Sequence, residues 1–491
     1  MTAVDLRSVL VAFGVAFALS AILVPACRWL ADRTGAVAHP RNDRWHRKSI
    51  PLLGGVAIAV AALLTAFGTG IAREVPVLVA TAFIIFIVGL TDDIIHLKPF
   101  TKLIAQIALA ATLVYFDYSL GWLESRLLDN LLTMVWVVGL TNAFNLLDNM
   151  DGLCAGTALV VSVTLMFGLL TGASRELAGP EVAYLAMLAG AVAGFLVYNF
   201  PPASIFMGDS GALMLGFSLA ALTLSNDGVR GSRSDVVSVI AAPVFVLLIP
   251  IFDTTLVTVL RLFAGRSPAV GGRDHSSHRL VAIGLSERSA VFVLWFLAAA
   301  GGAVGLIVRS ATQGFSVLVG GLFVIFMCLF ALYLARVRVY DDVAAAPTGA
   351  DAVTPIPDEF QHKKRVGEVL LDFGLISASY YAANQIHFDA EGYLRNAETF
   401  YGSLPIMVAF QLVAFFVVGV YRGAWHLFRW RDAVPMIGGV VVAAVAALVV
   451  MSVIYGASSD SRTVILYFAG ILIALMVVSR ASMRLFARFI P

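Results

Sequence analysis

The stretch "NAFNLLDNMDG", Asn142–Gly152, interrupts a chain that otherwise reads as lipid-facing. Its eleven residues hold three Asn and two Asp, with "LLTMVWVVGL" (131–140) before it and "TALVVSVTLMFGLL" (157–170) after it. An Asp at the centre of a membrane helix costs about 2.5–3.5 kcal/mol on insertion scales. So polar a patch belongs at the end of a span, where it meets water, metal or ligand. It marks the junction of two membrane helices, and the fold follows from finding the others.

Working outward, the composition is 60% hydrophobic and 13% charged, with a mean hydropathy of +0.91. That excludes an ordinary soluble globular protein. Apolar runs of about 17–25 residues read as spanning helices. They fall at 8–30, 52–71, 76–95, 101–116, 127–147, 153–172, 181–200, 210–225, 236–262, 289–309 and 313–336. Four more follow at 366–386, 402–421, 434–455 and 462–480. The expected fold is an all-α polytopic membrane protein with about eleven spans in a first unit (1–336) and four in a second (366–491). Between them "RVRVYDDVAAAPTGADAVTPIPDEFQHKKR" (336–365), rich in Ala, Pro and charge, reads as a cytoplasmic linker, residues 337–365.

The formal net charge of +2 is uninformative, but its distribution is not. Arg28, Arg33, Arg41, Arg44, Arg47 and Lys48 crowd the loop after the first span, whereas "REVP", "DYSLGWLESRLLD" and "SRELAGPE" after the second, fourth and sixth are short and often acidic. The positive-inside rule then puts the N-terminus outside and the basic C-terminal tail inside. The first span lacks a basic n-region and an A-x-A site, so it is expected to be a retained anchor. Cys27, Cys154 and Cys328 lie in or beside apolar segments and form no disulfide framework.

Five polar stretches break the apolar pattern, all in loops expected on the cytoplasmic face: "HRKSIPLLGG" (46–55), "GLTDDIIHLKPFTKLIAQ" (89–106), "TNAFNLLDNMDGL" (141–153), "NFPPASIFMGDSGALMLG" (199–216) and "GRSPAVGGRDHSSHRL" (265–280). Asp92, Asp93, Asp148, Asp151 and Asp209 are expected to converge there. On a continuous helix Asn142, Asn145 and Asn149 would share a face and Asp148 and Asp151 would form an i, i+3 pair. These hard oxygen donors suit Mg²⁺, with Mn²⁺ as a substitute, bound by one or two carboxylates plus water and substrate phosphates. Lys48, Lys102, Arg273, His275, His278 and Arg279 project to the same face. Acids for a metal beside cations for phosphate indicate diphosphate chemistry.

"TDD" (91–93), "NAFNLLDNMDGL" (142–153), "NFPPASIFMGDSG" (199–211) and "DHSSHRL" (274–280) resemble, in order and spacing, the polyprenyl-phosphate N-acetylhexosamine-1-phosphate transferases. The resemblance covers about residues 1–336. It implies transfer of a sugar-1-phosphate from a UDP-sugar to a polyprenyl phosphate, with release of UMP and use of Mg²⁺, at a bacterial inner membrane. It further implies an acidic pair near the acceptor phosphate in Asp92 and Asp93, one of them a base. Lys102 is implied on phosphate, Asp209 as the main metal ligand and Asn145 as the second. Asp151 and Asn199 are implied around uracil; His275, His278 and Arg279 on diphosphate or sugar. Asn142, Asp148, Lys48 and Arg273 complete the expected substrate-binding set. In two places the chain departs from the family: Asn149 stands where relatives carry Gly in D-G-x-D-G, and the histidine motif carries Gly272 for an Asp and Ser276-Ser277 for an apolar-His pair. The resemblance makes donor choice sensitive to these changes.

Residues 366–491 resemble the four-helix membrane anchor of polysaccharide-type nucleotide-sugar dehydratases and epimerases, through "LLDFGLISASYYAANQI" (370–386) and "GVYRGAWHLFRWRD" (419–432). No strand–G-x-G-x-x-G–helix follows, so dehydratase activity is not expected.

Blander readings stand beside these. Asn142 and Asn145 could be interhelical hydrogen-bonding glue, Asp148 and Asp151 could terminate a span, and His275 with His278 could be zinc ligands lacking a third partner. Asp253, mid-span, either pairs with Arg261 or approaches the site. The expected partners are UDP-sugar, polyprenyl phosphate and membrane lipid, and no nucleic acid. A homodimer and a glycan-pathway partner docking on residues 366–491 stay open. The competing function is a transporter or lipid flippase, or an inactive scaffold; transporters bind near the bilayer midplane through broken helices, whereas these acids sit at span ends.

Overall fold

The computed structural model describes residues 6–38, 49–123, 125–171, 179–224, 236–263, 272, 274–337, 359–388, 390–420, 433–455 and 459–489. Water cannot reach a bare backbone amide or carbonyl inside a bilayer, so an apolar chain of this kind satisfies its backbone by coiling into helices. The first are α1 (Leu6–Thr34), α2 (Gly54–Thr69), α3 (Ile71–Glu74), α4 (Pro76–Ile95), α5 (Pro99–Tyr115) and α6 (Arg126–Leu147). Then come α7 (Leu153–Thr171), α8 (Gly179–Asn199), α9 (Gly208–Leu222), α10 (Val236–Val246), α11 (Leu248–Phe263) and α12 (Ser276–Ala282). The last are α13 (Glu287–Ser310), α14 (Gln313–Ala335), α15 (Glu359–His387), α16 (Ala390–Val418), α17 (Ala433–Tyr455) and α18 (Ser459–Phe489). A single antiparallel ladder, β1 (Val37–Ala38) with β2 (Ile50–Pro51), is the sheet content among the described residues.

Nine of the described helices are long and apolar enough to cross a membrane, so the chain is an all-α, multi-pass membrane protein. Its outer surface agrees: Leu10 and Ile22 of α1 and Val441, Val442, Val445, Val449 and Val453 of α17 are exposed. Two details differ from the sequence expectation. The run at 236–262 is not one straight span, because α10 and α11 meet at 81°. Pro250 has no amide proton to give the Val246 carbonyl, which accounts for the break just ahead of it. Three other apolar helices are short. At 1.5 Å per residue the 15-residue α9 reaches about 22 Å, less than the ~30 Å hydrocarbon core.

Packing divides the chain into two units after Arg309. In the first, α9 is the axis: every residue from Ser210 to Leu222 is buried, enclosed by α2, α4, α6 and α7. Small residues allow that enclosure. A Cβ on Gly89 of α4 would lie 2.6 Å from the Asp209 carbonyl oxygen, and one on Gly55 of α2 would collide with the Gly211 backbone. In α8, a Cβ on Gly194 would come within 2.5 Å of the Phe17 carbonyl of α1. Membrane helices gain little from hydrophobic exclusion, so close van der Waals approach of this kind holds them together.

The second unit contains α14 to α18. Although α14 precedes the linker read from composition, it packs on α16, while α15 packs on α18. Composition marks where a chain leaves the membrane, and helix surfaces decide what packs. The aromatic centre is Tyr380, Phe400, Phe415 and Phe468. Beside it Arg480 donates to Asp372 at 2.7 Å, with both side chains at most 1% exposed. Removing one partner of such a pair strands the other charge, at a cost of about 3–5 kcal/mol. Arg480→Leu should therefore lower the unfolding midpoint of the detergent-purified protein, and adding Asp372→Leu should recover most of the loss. A single variant that melts with wild type would show that the pair contributes nothing.

Candidate active site

The site grows from the turn between α4 and α5. His96 adopts a left-handed conformation (φ 54°) that ends α4, and Pro99 starts α5 at a position where a missing amide proton is harmless. The Asp92 carboxylate closes the turn by accepting the Leu97 amide at 2.6 Å. One helical turn into α5, Lys102 Nζ donates to Asp92 Oδ2 at 2.7 Å and to Asp209 Oδ2 at 3.0 Å. A lysine is thus held between carboxylates from α4 and α9.

Asp93 does something different. Its two oxygens accept the backbone amides of Asp209 (2.8 Å) and Ser210 (3.0 Å). A helix begins with amides that have no intrahelical partner, and here a carboxylate from another helix satisfies two of them. Gly208 permits this twice over: its φ is +74°, and a Cβ would lie 2.7 Å from Asp93 Oδ2. Asn145 of α6 brings its side-chain amide to the Asp209 carboxylate. Of the three groups in the ion-pair chain Asp209 is the most open, its side chain 31% exposed against 12% for Asp92.

Helix α6 stops at Leu147, and Asp148 is its C-cap. The expected single face of Asn142, Asn145 and Asn149, and the helical Asp148–Asp151 pair, are therefore corrected. Asn142 and Asn145 lie on the helix, while Asn149 and Asp151 lie in the following turn. Asn, Asp and Gly favour turns because their side chains compete for backbone hydrogen bonds or because glycine tolerates positive φ; Gly152 has φ +73°. Asn142 exchanges amide hydrogen bonds with Gln106 of α5, at 2.7 and 3.3 Å. Asp151 Oδ2 accepts the Ala203 amide at 2.7 Å. Buried Asn199 accepts from the Gly152 amide (3.0 Å) and donates to the Ile205 carbonyl (2.9 Å), so both ends of its amide serve the backbone. Lys48 and Arg273 lie outside the described residues.

The histidine motif is not an open loop. Residues from Asp274 to Leu280 are all buried. Arg261 of α11 grips Asp274 with two bonds, Nε to Oδ2 at 2.9 Å and Nη2 to Oδ1 at 2.6 Å. Burial pushes the Asp274 carboxyl up, but the bonds and charge of Arg261 more than reverse this and hold it below the usual carboxylate range. Asp253 takes His275 Nδ1 at 2.7 Å and the Ser276 amide and hydroxyl at 2.7 and 2.6 Å. Of the two readings of Asp253, the pairing with Arg261 is the one not observed: each binds the residues around position 275 instead. Arg279 Nε donates back to the Asp274 carbonyl at 2.8 Å, and the His275 and His278 rings meet edge to face. Sequence reading gave Asp274 and Gln106 no individual role and offered Arg261 only as a partner for Asp253. The signal for Asp274 and Arg261 was present, since charged residues in or beside an apolar helix need partners.

Comparison with known proteins fits this arrangement. The profile of Glycosyl transferase family 4 matches residues 75–226, the segment that supplies the lysine–carboxylate cluster. A Bacillus subtilis (strain 168) protein named "Probable undecaprenyl-phosphate N-acetylglucosaminyl 1-phosphate transferase" is 33% identical over 342 residues, 66% of this chain and 91% of that protein. The chain belongs to glycosyl transferase family 4, the polyprenyl-phosphate N-acetylhexosamine-1-phosphate transferases. A Mycolicibacterium smegmatis "Decaprenyl-phosphate N-acetylglucosaminephosphotransferase" is 35% identical over 303 residues, 55% of this chain and 74% of that one. A Lactobacillus gasseri "Phospho-N-acetylmuramoyl-pentapeptide-transferase" is 30% identical over 243 residues, 44% of this chain and 75% of that one. This family 4 chain carries the two sequence departures noted above at Asn149 and Ser276-Ser277, and the structure joins them: Ser277 Oγ donates to Asn149 Oδ1 at 2.6 Å.

Because Asp93 seats α9 through Gly208, Gly208→Ala should displace Asp209 from Lys102. A displacement of about 1 Å typically costs about 10²-fold in rate, so turnover should fall by that order while membrane-inserted protein is still recovered. Wild-type turnover in Gly208→Ala would show that this seating is dispensable.

Proposed function

We propose that the protein transfers N-acetylglucosamine-1-phosphate from its UDP-sugar to a polyprenyl phosphate, releasing UMP and starting a lipid-linked cell-envelope glycan. The observation that carries this reading is Lys102 held between Asp92 and Asp209, with the Asn145 amide alongside, in a chain of family 4. The names of the relatives support the sugar and the lipid. We read the chain as eleven crossings followed by four in a bacterial inner membrane, with the site on the cytoplasmic side. The chemistry would lie within residues 1–336, in the part up to Arg309 that packs as the first unit, with 337–365 a linker and 366–491 an anchor. The support is that every one of the fifteen apolar runs contains helix, nine of the described helices being long and apolar enough to cross.

In the proposed reaction an oxygen of the polyprenyl phosphate forms a bond to the sugar-side phosphorus, and the bond from that phosphorus to the UMP oxygen breaks. A phosphate monoester has its second pKa near 6, so at neutral pH the acceptor is mostly dianionic and asks little of a base. Asp92, with Lys102 on one oxygen, is the residue of the acidic pair we place beside the acceptor. Asp93, spent on α9 amides, positions Asp209. Lys102 supplies a fixed positive charge to phosphate oxygens, and Asp151, His278 and Arg279 are assigned to the donor.

The donors present fit a hard cation. Asp209 has a partly open carboxylate, shared on one oxygen with Lys102, and the neighbouring Asn145 amide carries an oxygen of the hard type; so small a protein set would leave positions for water and phosphate, as Mg²⁺ prefers. We assign Mg²⁺, or Mn²⁺ in its place, to these two residues. When bound it neutralises charge on the diphosphate.

The test incubates the purified full chain with Mg²⁺, polyprenyl phosphate and a panel of UDP-sugars, and identifies the nucleotide released. The reading requires UMP and a lipid diphosphate sugar. UDP, or no product from any donor, would overturn it. Asp209→Ala should lower turnover by about 10²-fold or more.

A further inference from the structure

The turn after α6 and the short helix α12 come from distant parts of the chain and are each rigidly held. The turn is fixed by Asn199 on the Gly152 amide and by the Ala203 amide on Asp151. The start of α12 is fixed to α11, by Arg261 on Asp274 and by Asp253 on His275 and Ser276. A side-chain bond links the two bodies, from Ser277 Oγ to Asn149 Oδ1.

The geometry of that bond is built, not incidental. Asn149 Nδ2 donates to the Leu146 carbonyl at 2.8 Å, which closes the end of α6 and turns Oδ1 toward α12. Ser277 is fully buried, so its hydroxyl needs a partner, and Asn149 supplies one at 2.6 Å. Asp148 and Asp151 flank Asn149 on one side of the bond; His278 and Arg279 follow Ser277 on the other.

We propose that the Asn149–Ser277 bond is a positioning latch that sets the separation between the 148–152 turn and His278–Arg279, and through it the choice of donor sugar. This role presupposes the UDP-sugar activity above. A donor is long, with a nucleotide at one end and a hexose at the other, so two recognition elements must stand a fixed distance apart to read both. Neither Asn149 nor Ser277 needs to touch the substrate for this. Without the latch α12 keeps its anchors on α11, which packs on α6, but loses this direct tie to the turn.

The test is a double-mutant cycle on the full chain, with Asn149→Ala, Ser277→Ala and the pair. The KM for UDP-N-acetylglucosamine, the KM for polyprenyl phosphate and the rate ratio against UDP-N-acetylgalactosamine are measured for each. A net hydrogen bond corresponds to roughly 2- to 10-fold. Each single variant should raise donor KM by about that factor and narrow the ratio between the two donors. Acceptor KM should hold, and the double variant should be no worse than the worse single. A purely structural defect would instead lower kcat alike for both substrates through a smaller active fraction. Multiplying effects of the two singles, equal shifts in both KM values, or no shift at all would overturn the latch. A wild-type protein that transfers from no UDP-sugar would defeat the activity itself, and the donor role of the latch with it.

Discussion

A lysine held between two carboxylates, Asp92–Lys102–Asp209, organises the first unit. Charges at the ends of membrane helices are costly singly, and much less so when they neutralise one another. Three helices, α4, α5 and α9, must therefore meet at one point. The neighbouring Asp93 carboxylate caps α9, which cannot start elsewhere without leaving amides bare. Gly208 and Gly89 are required because any side chain there would push the two helices apart. The same contacts that assemble the fold hold Asp209 partly open beside a fixed cation, the arrangement phosphoryl chemistry needs.

Much of this was legible in the sequence. Apolar runs located the helices, since lipid permits little else, and the polar interruptions located the site residues that the structure does bring together: Asp92, Lys102, Asn145 and Asp209. What the sequence hid depends on pairing across space. An i, i+3 pattern at Asp148 and Asp151 looks helical, yet the turn preference of Asn149 and Gly152 ends α6 earlier. A charged pair eight residues apart in α11 looks like an internal bridge, yet Asp253 and Arg261 each reach the segment around position 275. Those bonds from Arg261 and Asp253 also explain why a motif as polar as "DHSSHRL" is buried.

The departures at Asn149 and Ser277 looked like two separate losses of family pattern. A glycine at 149 would offer no side chain to a partner, and the observed Asn149 offers an oxygen that Ser277 uses. The two are one feature. The second unit is a different kind of object, with its own aromatic centre and the buried Asp372–Arg480 pair, and none of the proposed chemistry is assigned to it.

The central claim is that Asp209, with Asn145, is the cation corner of the site. Titrating Mn²⁺ alone into the full chain in nanodiscs, and following free Mn²⁺ by electron paramagnetic resonance, tests it without reference to turnover. Wild-type protein should deplete the free-ion signal, and Asp209→Ala should not. Equal depletion by both proteins would contradict the account.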